Sequence, residues 1–354
     1  MRVVLTSAGH SYGGGLSRAL AALGVEMLAG GKIWYDYLPD RVPTILELAP
    51  DLIHLQWPEA LYGTAEAGRS TDQILAETES ALTTLRAAGI RLVWVMHNLL
   101  PHYRWDESFQ RAIYSLYAGA SDGVIHHSRW GEELARQTYA YAPGARHRVI
   151  HHGTFRGDQD CTLSQAEARA ALGHPSEARV LLSVGDFRPD KRLHLLVEAI
   201  GCRPGEQSND LLILVGTGHA RLVEEIQRLA ATCSNVHLAG WLSWESLAVH
   251  ARAADLLVFA HGGQHLTSAG PPLSYTYLLP QVTVDAGYAR EILGEGGFYF
   301  VDTLDSVASL QSCLERITPA AIERARTHLA ATRDAFTWPG IARQTYALYQ
   351  EVLS

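Results

Sequence analysis

The sequence VGDFRPDK at residues 184–191 marks the point where a strand gives way to a helix. Residues 181–184 are typical of a buried strand, and Gly185 permits a sharp turn after it. Arg188 and Lys191 then stand three residues apart at the predicted helix start. A helix start offers unpaired N–H groups and a positive dipole end, so two cations there favour a diphosphate. The alternative is an ordinary solvated basic turn.

Length and composition indicate a globular protein of two domains. The chain has 354 residues, of which 47% are hydrophobic and 19% charged, and a single core seldom grows to that length. The formal net charge of -8 argues against a broad nucleic-acid surface. Any anion site must therefore be local.

Four cysteines are scattered without CxxC spacing, which indicates neither a zinc site nor a disulfide framework and fits a cytoplasmic protein. The N-terminal MRVVL enters a strand directly, so we expect no signal peptide. No apolar window of about 18 residues suggests a membrane span, which leaves only peripheral membrane contact.

Strand-like runs alternate with helical patterns along the whole chain, which predicts an α/β fold of two Rossmann-like domains with parallel sheets. We expect a first domain at 1–155, a polar linker within 153–161, and a second domain at 156–335. A closing helix in 336–354 has an apolar stripe and is expected to pack back on the first domain.

Two Rossmann-like halves fit a nucleotide-sugar enzyme, a dinucleotide oxidoreductase or a two-lobed binding protein. The oxidoreductase requires GxGxxG directly after the first strand, but residues 7–15 read SAGHSYGGG. This predicts a glycine-rich loop without that fingerprint. Gly216-Thr217-Gly218 is a lone GxG, which equally fits a tight turn.

The order of motifs resembles GT-B glycosyltransferases of the family 4 type over nearly the whole chain. Gly185 and Lys191 match the residues that hold the donor diphosphate there, and a variant pattern G-x-[hydrophobic]-R-P-x-K assigns the family's arginine role to Arg188. Residues 254–258 and 280–293 resemble later blocks of that family, and the second block implies that Glu291 contacts the donor. We add Gly216 and Trp241 to the expected donor contacts.

The family's two glutamates, seven residues apart, are replaced by His265 and Leu273. The intervening LTSAGP, residues 266–271, resembles a T-S-G loop of variant relatives. Hydroxyls and a row of backbone N–H groups at a helix start suit a phosphate, although Thr267 or Ser268 could simply cap the helix. The expected donor loop therefore comprises Thr267, Ser268, Ala269 and Gly270.

In the first domain His97 follows a strand, at the sheet edge where open α/β sheets bind ligands. The family has a histidine there beside the reacting sugar, although a lone histidine is more often a packing residue. In an inverting enzyme it would be the general base. The resemblance implies retention, in which the leaving phosphate takes the proton and His97 positions the sugar and the acceptor.

Other residues of the first domain are predicted to contact the acceptor. Trp57 offers a flat face for a sugar ring, and Glu59 offers a carboxylate to its hydroxyls, although Trp57 fits a core position equally well. The glycines beside Tyr12 would leave room for a ligand. The expected acceptor contacts are Tyr12, Gly13, Gly14, Trp57, Glu59 and His102.

Metal and cofactor are not expected. The adjacent pairs His126-His127 and His151-His152 present their side chains to opposite faces of a strand, so neither pair forms a two-ligand site. The resemblance implies transfer without a divalent ion, with a nucleotide diphosphate sugar as the only co-substrate.

We therefore predict a glycosyltransferase that moves a sugar from a nucleotide diphosphate sugar, held by the second domain, to a hydroxyl or amine acceptor in a cleft. His97, Arg188 and Lys191 are the expected catalytic residues. The acceptor is expected to be a soluble natural product or a glycan. Two alternatives remain: a nucleotide-sugar epimerase, and a non-catalytic GT-B subunit that binds a nucleotide sugar or a partner transferase.

Overall fold

The computed structural model describes residues 1–6, 11–28, 37–62, 68–101, 105–155, 161–201, 209–261 and 265–354. These residues divide into two compact units. Unit 1 contains Met1–Gly153, His265–Thr267 and Ala335–Ser354, and unit 2 contains Thr154–Gln264 and Ser268–Asp334. The main division, between Gly153 and Thr154, lies close to the predicted boundary after residue 155.

Unit 1 is built on a parallel sheet. Its described strands are β1 (Arg2–Leu5), β2 (Glu26–Leu28), β3 (Leu52–Leu55), β4 (Arg91–Val95), β5 (Gly123–His126) and β6 (Arg146–Val149), in the order β2-β1-β3-β4-β5-β6. Its described helices are α1 (Ser11–Ala21), α2 (Leu38–Leu48), α3 (Thr71–Ala87), α4 (Glu107–Ala120), α5 (Arg129–Thr138) and, from the end of the chain, α14 (Trp338–Leu353). Strands and crossover helices alternate as the sequence predicts.

Both faces of this sheet are covered, because its central strands are apolar on both sides. One core contains Trp94 with residues of α2, α3 and α4, and the other contains Val93 with residues of α1 and α14. The α14 residue Tyr349 also forms a 2.5 Å hydrogen bond with Nδ1 of buried His54 on β3. The C-terminal helix is thereby part of unit 1.

Two glycines let α14 pack closely. A Cβ on Gly15 would lie 2.3 Å from the Trp338 ring, and one on Gly153 would lie 2.5 Å from it. The predicted glycine-rich loop at residues 7–15 is wrong for its described part, because α1 already begins at Ser11. Trp338 occupies the space beside Gly15 that the sequence suggested for a ligand.

Unit 2 is also built on a six-stranded parallel sheet, but its strand order differs from that of unit 1. Its described strands are β7 (Arg179–Val184), β8 (Asp210–Val215), β9 (Val236–Gly240), β10 (Leu256–Phe259), β11 (Gln281–Val284) and β12 (Gly297–Phe300), in the order β12-β11-β10-β7-β8-β9. Its described α-helices are α6 (Gln165–Leu172), α7 (Leu193–Leu196), α8 (Ala220–Ala230), α9 (Trp244–Ala253), α10 (Gly270–Tyr277), α11 (Gly287–Leu293), α12 (Ser306–Glu315) and α13 (Pro319–Thr332).

The helix predicted after Lys191 is broken into three short pieces. A 3₁₀ turn covers Pro189–Lys191, Arg192 takes a left-handed conformation with φ 46°, and the four-residue α7 continues as a π-helix at Val197–Gly201. The predicted helix through Ile200 is thus present from Leu193 to Gly201, but it begins only after Arg192 and is not a regular α-helix along its whole length.

Two further observations concern the cysteines and the membrane. Cys233 is disulfide-bonded, which the cysteine spacing did not indicate, whereas Cys161 and Cys313 are free. Among the described helices, none combines the length and the apolar character needed to cross a bilayer.

Candidate functional site

Each sheet has one point where the chain reverses its direction of strand addition. In unit 2 it lies between β7 and β10, and in unit 1 between β1 and β3. Open α/β sheets bind ligands in the crevice outside the carboxyl ends of such strands. The two crevices are therefore the first places to look for functional residues.

A small pocket lies at the crevice of unit 2. Gly185 to Phe187 line it after β7, and Phe259 and His261 line it from β10. Lys191 enters the same cavity, and its Nζ forms a hydrogen bond with Nε2 of His261. The strand order thus brings together two basic side chains that are 70 residues apart in the chain.

The environment of Lys191 lowers the pKa of its ammonium group. Burial, followed by the nearby Arg188 guanidinium, lowers the pKa of Lys191 from 10.5 to about 8, while Asp190 and Asp186 act in the opposite sense. The side chain is still mainly charged at neutral pH. A buried cation of this kind is stabilised by an anionic ligand.

Arg188 lies near Lys191 but does not line that cavity. Its Nε and Nη2 each donate to the Asp190 carboxylate at 3.0 Å, in a bidentate pair. The sequence predicted a guanidinium that grips a diphosphate, and the structure shows it paired with a carboxylate instead. A phosphate at Arg188 would have to compete with Asp190.

In unit 1, aromatic rings gather at the crevice around His97, which is 4% exposed and follows β4. The Trp57 ring stacks on it with centroids 4.5 Å apart and an interplanar angle of 19°. Tyr12 meets its edge at 5.2 Å. Trp57 is half-buried, whereas Tyr12 is fully buried, and burial raises the pKa of the Tyr12 hydroxyl.

Three further members of this aromatic group are not among the predicted site residues. His127 lies 5.1 Å from His97, and His152 and Trp338 lie 4.9 Å and 5.5 Å from Tyr12, all between ring centroids. His127 and His152 each follow a strand, a position at the ligand-binding edge that the sequence did reveal. Nothing in the sequence places Trp338 there, because it comes from the C-terminal helix.

The comparisons with known proteins fit this architecture. Residues 178–318 match the family model described as "Glycosyl transferases group 1". The fold resembles that of a sucrose-phosphate synthase from Thermosynechococcus elongatus, with a TM-score of 0.72 and 19% identity over 99% of both chains. Anabaena HepE in complex with UDP-glucose gives a TM-score of 0.70 and 18% identity over 99% of this chain and 100% of that one. No curated protein sequence matches the chain.

The chain carries a group 1 glycosyltransferase domain on a GT-B fold. The matched residues contain β7 to β12, and hence the whole cavity around Lys191 and His261. The structural likenesses themselves show the fold.

The other predicted donor contacts lie along the carboxyl edge of the same sheet. Gly216 follows β8 with φ 142°, and a Cβ there would lie 2.0 Å from the Gly185 carbonyl oxygen. Trp241 follows β9 and is 74% exposed, so its ring is available for stacking. Glu291 is exposed on α11, after β11. Their contacts with a donor stay predictions.

The loop Thr267 to Gly270 offers fewer donors to a phosphate than expected. Pro271 and Pro272 occupy the first turn of α10 and have no N–H group. The Gly270 N–H donates to Ser268 Oγ at 3.3 Å. Three of the N–H groups in this first turn are therefore missing or engaged, and a phosphate contact at this loop stays a prediction. Ala269 is the N-cap, so neither hydroxyl forms the expected cap.

Leu273, at the position of the family's second glutamate, is 3% exposed and packs in the core of unit 2. It has no polar atom to offer to a ribose.

The other residues predicted to contact the acceptor are only partly available for such a contact. Glu59 accepts a hydrogen bond of 2.7 Å from the Tyr114 hydroxyl, and burial raises the pKa of its carboxyl. An acceptor would have to share that carboxylate. Gly13 is buried inside α1 and Gly14 is half-buried, so they do not line an open loop. His102 lies outside the described residues.

One group of side chains has the composition of a metal site. His126, Glu132 and His147 each place one ligand atom within 4.8 Å of the others. Burial lowers the pKa of His126 to about 3 and that of His147 to about 4, so both rings are neutral at pH 7. A search for histidines that are adjacent in the chain does not find His126 and His147, because they lie on neighbouring strands.

Proposed function

We propose that this glycosyltransferase holds a nucleotide diphosphate sugar in unit 2 and transfers the sugar to an acceptor hydroxyl or amine bound by unit 1. The observation that carries the proposal is the meeting of Lys191 and His261 in a cavity at the strand reversal of unit 2. Support for a nucleotide comes from the matched family and from the HepE structure, which holds UDP-glucose.

In the transfer step the bond between the anomeric carbon and the diphosphate oxygen breaks, and a bond to the acceptor oxygen or nitrogen forms. Negative charge grows on the departing diphosphate. A positioned ammonium in a partly desolvated cavity stabilises that charge more strongly in the transition state than in the ground state. We assign this role to Lys191, with Arg188 assisting once a phosphate displaces Asp190.

The proton of the acceptor has two destinations. In the retaining outcome, which we propose, the leaving phosphate takes it, and no protein base is needed. His97 then positions the reacting groups, and its stacking against Trp57 fixes the plane of its ring. Positioning of this kind lowers the entropic cost of bringing donor and acceptor together.

The transfer is proposed to need no divalent ion, because Lys191 offsets the charge of the leaving group. The fully buried Tyr12 packs against the rings of His97, His127 and His152, and we propose that it does not contact the acceptor. Half-buried Trp57 is the member of that group best placed to meet a sugar or a ring-bearing acceptor.

The test is incubation of the full chain with a panel of nucleotide sugars and candidate acceptors, in EDTA, followed by mass spectrometry. We expect one donor to release its nucleoside diphosphate and to yield a product heavier by one sugar. Release of nucleoside diphosphate with a free 2-epimeric sugar would favour the epimerase. Binding of a nucleotide sugar without turnover, over a full acceptor panel, would favour the non-catalytic subunit.

A further inference from the structure

The group formed by His126, Glu132 and His147, called here the His126 cluster, lies in unit 1 and takes no part in the proposed transfer. His126 ends β5, His147 lies on the neighbouring β6, and Glu132 lies in the first turn of α5. The next residue, His127, contacts the aromatic rings around His97 instead. Successive residues of a strand point to opposite faces, which separates the two groups of histidines.

The ligand atoms are already close to the spacing that a metal ion requires. His126 Nε2 and His147 Nδ1 are 3.0 Å apart, and the rings are nearly parallel, at 7°. Two nitrogens bound to one tetrahedral zinc ion, each at about 2.0–2.1 Å, lie roughly 3.3 Å from each other. The two nitrogens would therefore separate by a few tenths of an ångström to bind an ion, and the Glu132 oxygen, within 4.8 Å of both, would move in to join them.

The side chains around the cluster limit the movement of its members. The Tyr141 ring meets the His147 ring edge-on with centroids 4.7 Å apart. Arg136 donates from Nε to Oε1 of Glu132 at 2.9 Å, one turn further along α5. The start of that helix is in turn fixed by Ser128, whose Oγ accepts from the Gly131 N–H at 2.9 Å. Pre-positioned ligands reduce the ordering cost of binding a metal.

We propose that the His126 cluster binds one divalent transition-metal ion of the zinc class. Two imidazole nitrogens and one carboxylate oxygen are ligands that zinc accepts, and solvent completes the coordination. The ion links β5, β6 and α5 and stabilises unit 1. It is a structural ion that leaves the sugar-transfer step metal-independent.

The experiment uses the full chain without an affinity tag, stripped with EDTA and dialysed, and then titrated with Co²⁺. We expect one equivalent to bind with visible absorption bands of a four- or five-coordinate site, and Zn²⁺ to displace it. Zn²⁺ should also raise the Tm by several degrees, because it binds the folded state.

His147→Gln and Glu132→Gln test the assignment separately, in case one of them fails to fold. Each should lower the affinity for Co²⁺ at least tenfold and lose the Tm shift. His194→Gln removes an exposed histidine of unit 2 and serves as the matched control, which should behave as the parent chain does. Equal Co²⁺ spectra and equal Tm shifts in the parent, His147→Gln and Glu132→Gln would overturn the proposal, as would the absence of a stoichiometric site in the parent.

Discussion

At the scale of the residue, Lys191 is the group on which most of the proposed chemistry depends. It is one of two lysines in the chain, and its environment combines burial, one neighbouring guanidinium and two neighbouring carboxylates. The charges of the two cations and the two carboxylates nearly cancel, so the cavity offers an ammonium group to an anion although its net charge is small. The charge state of Lys191 therefore controls how strongly a diphosphate is held.

The pH dependence of donor binding follows from that charge state. Because the pKa of Lys191 is about 8 in the folded protein, its charge is lost as the pH rises through 8, and the donor KM should then rise up to tenfold per pH unit. In Lys191→Arg the charge persists, so its donor KM should stay nearly flat between pH 7 and 9. A donor KM that changes with pH identically in both proteins would contradict this assignment.

The same pKa bears on stability. The folded value of about 8 lies below the usual 10.5, so between these values the unfolded chain binds more protons. This residue therefore makes the free energy of unfolding increase as the pH rises from 8 to 10.5, and burial of the charge opposes folding below pH 8.

Asp190 offers a second test of the local charge. In Asp190→Asn the carboxylate that pairs with Arg188 is gone, so the guanidinium is available and the potential near Lys191 becomes more positive. We expect the donor KM to fall about threefold to tenfold, the size of one ordinary net hydrogen bond, because the guanidinium is only partly held by Asp190. Kinetics at varied donor concentration provide the measurement. An increase in KM would show that Asp190 supports the donor site rather than competing with it.

At the scale of the element, the close packing of α1 on α14 holds unit 1 together and can be tested with two glycines. Gly15→Ala would place a Cβ 2.3 Å from the Trp338 ring and should lower the Tm clearly, with a loss of about 1–3 kcal/mol typical of overpacking.

Gly119→Ala is the matched control for that change. Gly119 lies near the end of α4, and a Cβ there would have no atom within 4 Å. Alanine in a helix should stabilise the chain by up to about 1 kcal/mol, which raises the Tm slightly. Two variants with the same Tm would show that Trp338 moves away from α1 at little cost.

The sequence predicts the strands best, because their apolar runs need no partner to be recognised. The buried strand predicted at residues 181–184, for example, forms the last four residues of β7. In α2, Pro39 lies in the first turn, where proline is tolerated, whereas Pro43 lies inside the helix and lacks the N–H that would bond to the Pro39 carbonyl.

Parts of the candidate site depend on contacts that local sequence cannot show. His261 was missed because its partner Lys191 is distant in the chain, and Trp338 because α14 packs beside α1. The loop before α10 was misread for a different reason. Pro271 and Pro272 suit a helix start, but they also remove two N–H groups from it.

At the scale of the whole molecule, two units that are each built on a six-stranded parallel sheet carry different chemistry at their strand reversals. Unit 2 presents the basic pair Lys191 and His261, and unit 1 presents stacked aromatic and imidazole rings around His97. Fold alone does not assign a reaction, and these side chains provide the assignment. The group 1 domain and the basic cavity together support the proposal that the protein transfers a sugar from a nucleotide sugar.

The rate of nucleoside diphosphate release, measured with the active donor and acceptor at pH 7, tests that claim most directly. Lys191→Ala should lower kcat by about 10²–10³, while circular dichroism and the Tm remain close to those of the parent chain. Arg221→Ala, which removes an exposed cation on α8 of the same unit, is the control and should turn over at the parent rate. A Lys191→Ala variant that folds normally and transfers sugar as fast as the parent chain would contradict the account.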